Sequence, residues 1–173
     1  MKQNIAVYAG TFDPVTNGHL DLINRASKMF DKLYVTIFIN PTKTGVFSIL
    51  ERKQLLEQVT KEYDNVIIDS SDKLAVEYTK EVGGNILVRG IRANMDFEYE
   101  LQLAFSNQYL DADIEMVFLM TKPHKSFISS SSVKEIVSHG RSVEGLVPKV
   151  VETAMQDKLC PNDKHDIACK EKN

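Results

Sequence analysis

The strongest constraint on this chain is an alternation of two periodicities. Five short apolar segments, rich in β-branched and aromatic residues, are separated by longer stretches whose apolar residues recur at three- and four-residue spacing. The first segment, Ile5–Gly10 (IAVYAG), is stopped by glycine and reads as a buried strand. Leu33–Ile39, Val66–Ile68, Ile86–Val88 and Ile114–Met120 read as the other four. Between the first two, Gly18–Phe30 carries Leu22, Ile23, Ala26, Met29 and Phe30 on a helical stripe. Ser48, with Glu51 three residues on, opens a second helix as a capping box. Asp72 is placed to cap a third that ends at Gly83-Gly84, and Phe97–Leu110 reads as a fourth. Ser130–Ser138 predicts a helix closed by His139-Gly140, and Pro148 starts a last one through about Leu159. Strands alternating with helices are joined by right-handed crossovers, which makes the sheet parallel. The fold expected is α/β: a single Rossmann-like domain with a five-stranded parallel sheet flanked by helices.

At 173 residues the chain is long enough for one domain with a full core. That domain is expected over residues 1–160, followed by a polar, aperiodic tail, 161–173, expected to be disordered. Apolar residues at 43% and charged residues at 26% exclude a mainly disordered chain. No apolar run approaches the roughly 18 residues that span a bilayer, and the apolar stretch at the N-terminus is too short for a signal peptide. Cys160 and Cys169 give neither a disulfide framework nor metal-ligand spacing. A soluble cytoplasmic protein without a membrane partner is expected. A net charge of −3 argues against a nucleic-acid partner. An anionic ligand must then be held by a local cluster of positive groups.

In parallel sheets of this kind ligands sit beyond the carboxyl ends of the strands. The residues following the strands are therefore informative. Gly10–His19 (GTFDPVTNGH) follows the first, Asn40-Pro41-Thr42-Lys43 the second, Arg89-Gly90-Ile91-Arg92 the fourth and Thr121–Ser132 the fifth. Lysines, arginines and a histidine gather at one edge of an acidic protein. The helix N-termini near Gly18 and Ser130 add free N–H groups that favour phosphate. Any one of these lysines alone is an ordinary surface charge; the set points to a polyphosphate site. Neither G-x-G-x-x-G nor G-x-x-x-x-G-K-[ST] occurs, so the phosphates must be held another way.

Thr16-Asn17-Gly18-His19 matches the T-x-G-H signature of adenylyl- and cytidylyltransferases. With GTFDPVTNGH, PTK, VRGIRANMDFEYELQLAFSN, FLM and SFISSSSVKE in order, the chain from about 4 to 159 resembles the bacterial phosphopantetheine adenylyltransferases. The resemblance implies a nucleotidyltransferase fold of the Rossmann-like type. It implies transfer of the adenylyl group of ATP to 4′-phosphopantetheine, with Mg²⁺-ATP, a homohexamer and possible feedback inhibition by coenzyme A. Carried over residue by residue, His19 hydrogen-bonds the phosphates and stabilises the transition state. Thr11, through its hydroxyl, and Phe12, through its backbone N–H, contact the reacting groups. Lys43 and Arg89 bind the acceptor phosphate, and Ala75 contacts pantetheine through its backbone. Gly90, Ile91, Arg92 and Glu100 contact ATP. Lys125, Ser126, Phe127, Ile128, Ser129, Ser130 and Ser131 wrap its phosphates. Family members often carry an aromatic residue where this chain has Lys125, and a bulkier one than Ala75. No residue is assigned as a metal ligand.

A phosphate acceptor is already a nucleophile, so no protein base is required, and catalysis rests on positioning and charge stabilisation. The alternatives are a related adenylyl- or cytidylyltransferase with another acceptor, and a non-catalytic nucleotide-binding regulator. Ser131-Ser132-Val133-Lys134 (S-x-x-K) and Lys43-Thr44-Gly45 (K-T-G) also occur, in the reverse of the order used by penicillin-recognising serine enzymes and without S-D-N; they are read as chance matches.

Overall fold

The Ile5–Gly10 segment forms the central strand, β1, of a five-stranded sheet in the computed structural model, which describes residues 3–39, 44–92 and 94–159. The others are β2 (Lys32–Phe38), β3 (Val66–Ser71), β4 (Ile86–Ile91) and β5 (Glu115–Met120). All pairings are parallel, in the order β3-β2-β1-β4-β5. The helices are α1 (Asn17–Ala26), α2 (Ile49–Thr60), α3 (Ala75–Glu81), α4 (Asn94–Leu110), α5 (Ser130–Ser138) and α6 (Lys149–Leu159), with a 3₁₀ turn at Pro123–Lys125.

The two faces of β1 feed two cores, because successive strand side chains point in opposite directions. Ala6 and Tyr8 pack with Leu22 and Ile23 of α1, Leu56 of α2, Val133 of α5 and Met155 of α6. Val7 and Ala9 pack with Val76 and Tyr78 of α3, Leu87 and Ile114. A strand covered on both sides must be apolar throughout, which is why IAVYAG shows no polar alternation.

Several boundaries differ from those expected. Arg89, Gly90 and Ile91 are the last residues of β4, because the register with β5 continues through Arg89↔Phe118, Gly90↔Leu119 and Ile91↔Met120. Asp72 does not cap α3: the chain turns first, with Lys73 N–H donating to Ser71 Oγ, and Glu77 accepts from the Leu74 N–H at the true start. The first helix stops at Ala26, where Asn65 donates to the Ser27 and Phe30 carbonyls and draws residues 27–30 into a turn. The capping box at α2 is present, with Glu51 N–H on Ser48 Oγ and Ser48 N–H on Glu51 Oε2. Helix α5 closes at His139-Gly140, and the Pro148 carbonyl accepts the N–H groups of Val151 and Glu152 in the first turn of α6. Residues 161–173 and Cys160 lie outside the described residues.

Sheet order sets the place of the site. The order of strand addition reverses between β1 and β4, which stay parallel, and their pairing ends at Tyr8↔Val88 although both strands run on beside their other neighbours. The two strands splay there, which opens a crevice at their carboxyl ends.

Candidate active site

A cavity of about 800 Å³ occupies this crevice. Its lining comes from the ends of β1, β2, β4 and β5, from the start of α3, from one face of α4 and from the N-termini of α1 and α5.

The T-x-G-H spacing is a capping box. Thr16 is the N-cap of α1 and His19 its third residue. Thr16 Oγ accepts the His19 N–H at 3.3 Å, and His19 Nδ1 accepts the Thr16 N–H at 3.0 Å. With Nδ1 accepting, the neutral ring carries its proton on Nε2, as a donor for the cavity. Burial, with a smaller contribution from the charge of Arg92, pushes the imidazole down to about 4. His19 is therefore neutral near pH 7 and still a hydrogen-bond donor.

Phe12 holds this arrangement from below. It takes a positive φ of 45°, rare for a bulky residue, and its ring is 1% exposed. The ring meets Tyr8 edge-on at 5.4 Å and His19 edge-on at 5.1 Å. A side chain on Gly10 would press into the Phe12 ring, with a Cβ only 2.8 Å from its tip.

Arg89 and Glu100 form a forked ion pair in the cavity wall. Arg89 Nε donates to Glu100 Oε2 at 2.7 Å and Nη2 to Oε1 at 2.6 Å, while Nη1 reaches the Ala9 carbonyl at 2.9 Å across the splay. Burial disfavours the guanidinium charge, and Glu100 outweighs it and raises the Arg89 pKa. Three of the five guanidinium N–H groups are thus engaged, and the plane is fixed before any ligand arrives.

Asp13, which the sequence offers only as part of a turn, is the hub of the β1–α1 loop. Its buried carboxylate accepts the N–H groups of Val46 (3.0 Å) and Phe47 (2.9 Å) and faces Lys134 (3.1 Å) and Arg52 (3.3 Å). Burial alone would raise its pKa; those two N–H groups, Lys134 and Arg52 hold it below the ordinary value. Lys134 is thereby committed to Asp13, away from any S-x-x-K chemistry.

Of the residues singled out in the sequence, Thr11, His19, Ala75, Arg89, Gly90, Arg92, Glu100 and Ile128–Ser131 line the one cavity. Phe12 lies beneath it, and Ile91 is turned into the core. Lys125, Ser126 and Phe127 do not line it. Lys125 Nζ reaches the Asn17 carbonyl at 3.4 Å and Asp21 at 3.7 Å, Ser126 Oγ donates to the Pro123 carbonyl, and Phe127 is 65% exposed. Ser130 Oγ donates to the Pro14 carbonyl, and Ser129 Oγ caps Ser132 N–H, so the α5 serines build the helix start as well as facing the cavity. Lys43 lies outside the described residues.

Sequence reasoning missed Tyr8, Lys73, Leu74, Tyr99 and Leu103 in the lining, and gave Thr16 no role beyond its place in the T-x-G-H signature. Lys73 and Leu74 follow β3, so the strand-end rule applied there would have found them. Tyr99 and Leu103 are one helical turn apart beside Glu100. Tyr8 carried no signal beyond that of a core strand.

Among the described residues no group of three or more His, Cys, Asp or Glu is arranged to hold a metal ion. The cavity's one described carboxylate, Glu100, has both oxygens on Arg89. These residues do not fit a protein-held cation. No helix among them is long and apolar enough to cross a membrane.

The cytidylyltransferase-like family model matches residues 7–136. Phosphopantetheine adenylyltransferase of Clostridium novyi (strain NT) is 50% identical over 147 residues, 85% of this chain and 91% of the relative. The enzyme of the same name from Natranaerobius thermophilus is 47% identical over 152 residues, 88% and 94% respectively. A solved Vibrio parahaemolyticus structure, described as a nicotinate-nucleotide adenylyltransferase, superposes with a TM-score of 0.69 at 17% identity, covering 91% of this chain and 94% of its own. That likeness concerns the fold alone.

Proposed function

Since the chain belongs to the cytidylyltransferase-like family, and within it to the phosphopantetheine adenylyltransferases, we propose a division of labour among its residues for that reaction. The enzyme transfers the adenylyl group of ATP to 4′-phosphopantetheine, giving dephospho-coenzyme A and pyrophosphate, a step of coenzyme A biosynthesis.

The reading of the site rests on one observation: His19, Arg89, Arg92 and the N-terminus of α5 open on a single cavity at the splay of β1 and β4. The acceptor phosphate attacks the α-phosphorus of ATP in line with the departing pyrophosphate, with no covalent enzyme intermediate. The neutral His19 donates Nε2–H to a non-bridging oxygen, where negative charge grows towards the transition state. The N–H groups of Ser130 and Ser131 at the helix start and the guanidinium of Arg92 share the triphosphate with Thr11 and Gly90, while Glu100 serves the ATP site by fixing Arg89 in its wall. Arg89 presents its two unengaged N–H groups to the acceptor phosphate, a planar match that a lysine would lack. Lys43 supplies a second positive charge there. Leu74 and Ala75 border the acceptor's uncharged arm. Lys125, Ser126 and Phe127 support the triphosphate segment from outside the cavity lining. Mg²⁺ enters on the triphosphate as part of the substrate.

The same reading takes the enzyme as a cytoplasmic homohexamer. Support for assembly comes from α4, whose outer face carries Phe105, Tyr109 and Leu110 at 61%, 91% and 54% exposure. Coenzyme A, which carries both the adenylate and the pantetheine moieties of the product, is proposed as a competing inhibitor of the cavity.

Pyrophosphate release with ATP and a panel of acceptors tests this reading. Turnover is expected with 4′-phosphopantetheine and none with nicotinate mononucleotide. Turnover with another acceptor in its place, or none with any, overturns it.

A further inference from the structure

Two tyrosines are buried near the sheet, and their hydroxyls differ. Tyr78 donates to Asp69 Oδ2 at 2.8 Å, as a buried phenol ordinarily does. Tyr8 is 5% exposed, and its hydroxyl has no hydrogen-bond partner among the described residues. Yet Tyr8 is a cavity-lining residue and the last of β1 to pair with β4, so it stands at the point where the strands part. Its hydroxyl lies 3.9 Å from where a Cβ on Gly90 would be, next to Arg89. The ring is held edge-on by Phe12, which is itself edge-on to His19. A rigid ring with an uncommitted hydroxyl at the fork of a phosphate-binding crevice is a donor awaiting an acceptor.

We propose that the Tyr8 hydroxyl is a further substrate-contacting group, donating a hydrogen bond to a phosphate oxygen of the bound substrates at the β1–β4 splay. This rests on the adenylyl-transfer reading of the cavity. The electrostatic setting agrees with it. Burial pushes the Tyr8 phenol up, against the lowering pull of Arg89 and Arg92, so the hydroxyl keeps its proton and donates without adding negative charge. It complements Arg89, which supplies charge, and His19, which supplies a second neutral donor.

Tyr8→Phe removes one oxygen and leaves the ring contacts with Phe12. No hydrogen bond among the described residues is lost, so the thermal unfolding midpoint is expected to stay within about 2 °C of wild type. Steady-state pyrophosphate release, with each substrate varied in turn, is expected to show kcat/KM lower by about tenfold for at least one of them. Values within twofold of wild type for both substrates overturn the proposal. A parallel fall in activity and unfolding midpoint also overturns it, because that marks a packing role. Should wild type itself release no pyrophosphate with phosphopantetheine, the reading of the reaction fails. Tyr8 is then judged by calorimetric titration with ATP, where equal affinity of variant and wild type overturns the contact and weaker binding by the variant sustains it.

Discussion

His19 shows how one residue serves the helix and the chemistry together. Its Nδ1 closes the capping box of α1, and this orients the ring and leaves Nε2–H for the cavity. His19→Ala is expected to cut turnover by about a hundredfold or more and to leave ATP affinity within about tenfold, since the interaction strengthens only as charge develops. Rapid-quench turnover with equilibrium ATP binding checks this; unchanged turnover rejects the assignment. Burial holds the folded imidazole near 4, below its ordinary 6.5. As pH falls, the unfolded chain therefore takes up the proton first. The stability linked to neutral His19 is complete above about pH 6.5 and is lost as pH falls through about 4, by no more than about 3 kcal/mol, less where the ring edge meets solvent. An NMR titration of the imidazole is expected to give a midpoint near 4 that moves upward when ATP binds. A ligand-free midpoint at the ordinary value would show that the ring is not desolvated.

At the scale of elements, the site is held by short polar contacts that tie loops to helices. Asp13 joins the β1–α1 loop to the segment before α2, through Val46 and Phe47, and to α5 through Lys134. Removing its carboxylate leaves Arg52, itself 9% exposed, without its buried counter-charge. Asp13→Ala is expected to cost about 3–5 kcal/mol in chemical denaturation, with Asp13→Asn costing less because it can still accept a backbone N–H. A loss under about 1 kcal/mol for Asp13→Ala would contradict the hub. Local signals made α2 and α5 legible in the sequence. Ser48 with Glu51 and His139-Gly140 are cap chemistry between residues close in the chain. The start of α3 was not legible, because Ser71 and Glu77 satisfy the groups that Asp72 was expected to serve. Nor was the end of β4, because pairing with Phe118–Met120 sets it from more than 25 residues away.

Across the whole molecule, an outer face remains that the fold itself does not bury. Helix α4 turns Glu100 inward onto Arg89 and leaves Phe105, Tyr109 and Leu110 exposed. If copies of the chain cover this face, sedimentation equilibrium is expected at the mass of six 19.6 kDa chains. Tyr109→Lys is then expected to yield smaller species with an unchanged far-ultraviolet spectrum. A wild type sedimenting as a single chain refutes the assembly.

The sequence by itself determined the α/β class, the five parallel strands and the edge at which a phosphate ligand belongs. Each of these follows from periodicity and from the crossover that parallel strands require. Only the tertiary structure decided that β1 and β4 part after Tyr8↔Val88, that Arg89 is fixed by Glu100 and Ala9, and that Lys125 turns to Asp21 and Asn17 and away from the cavity. Those facts depend on charges and strands distant in sequence meeting at one place, and no local pattern encodes which partner a buried charge will find.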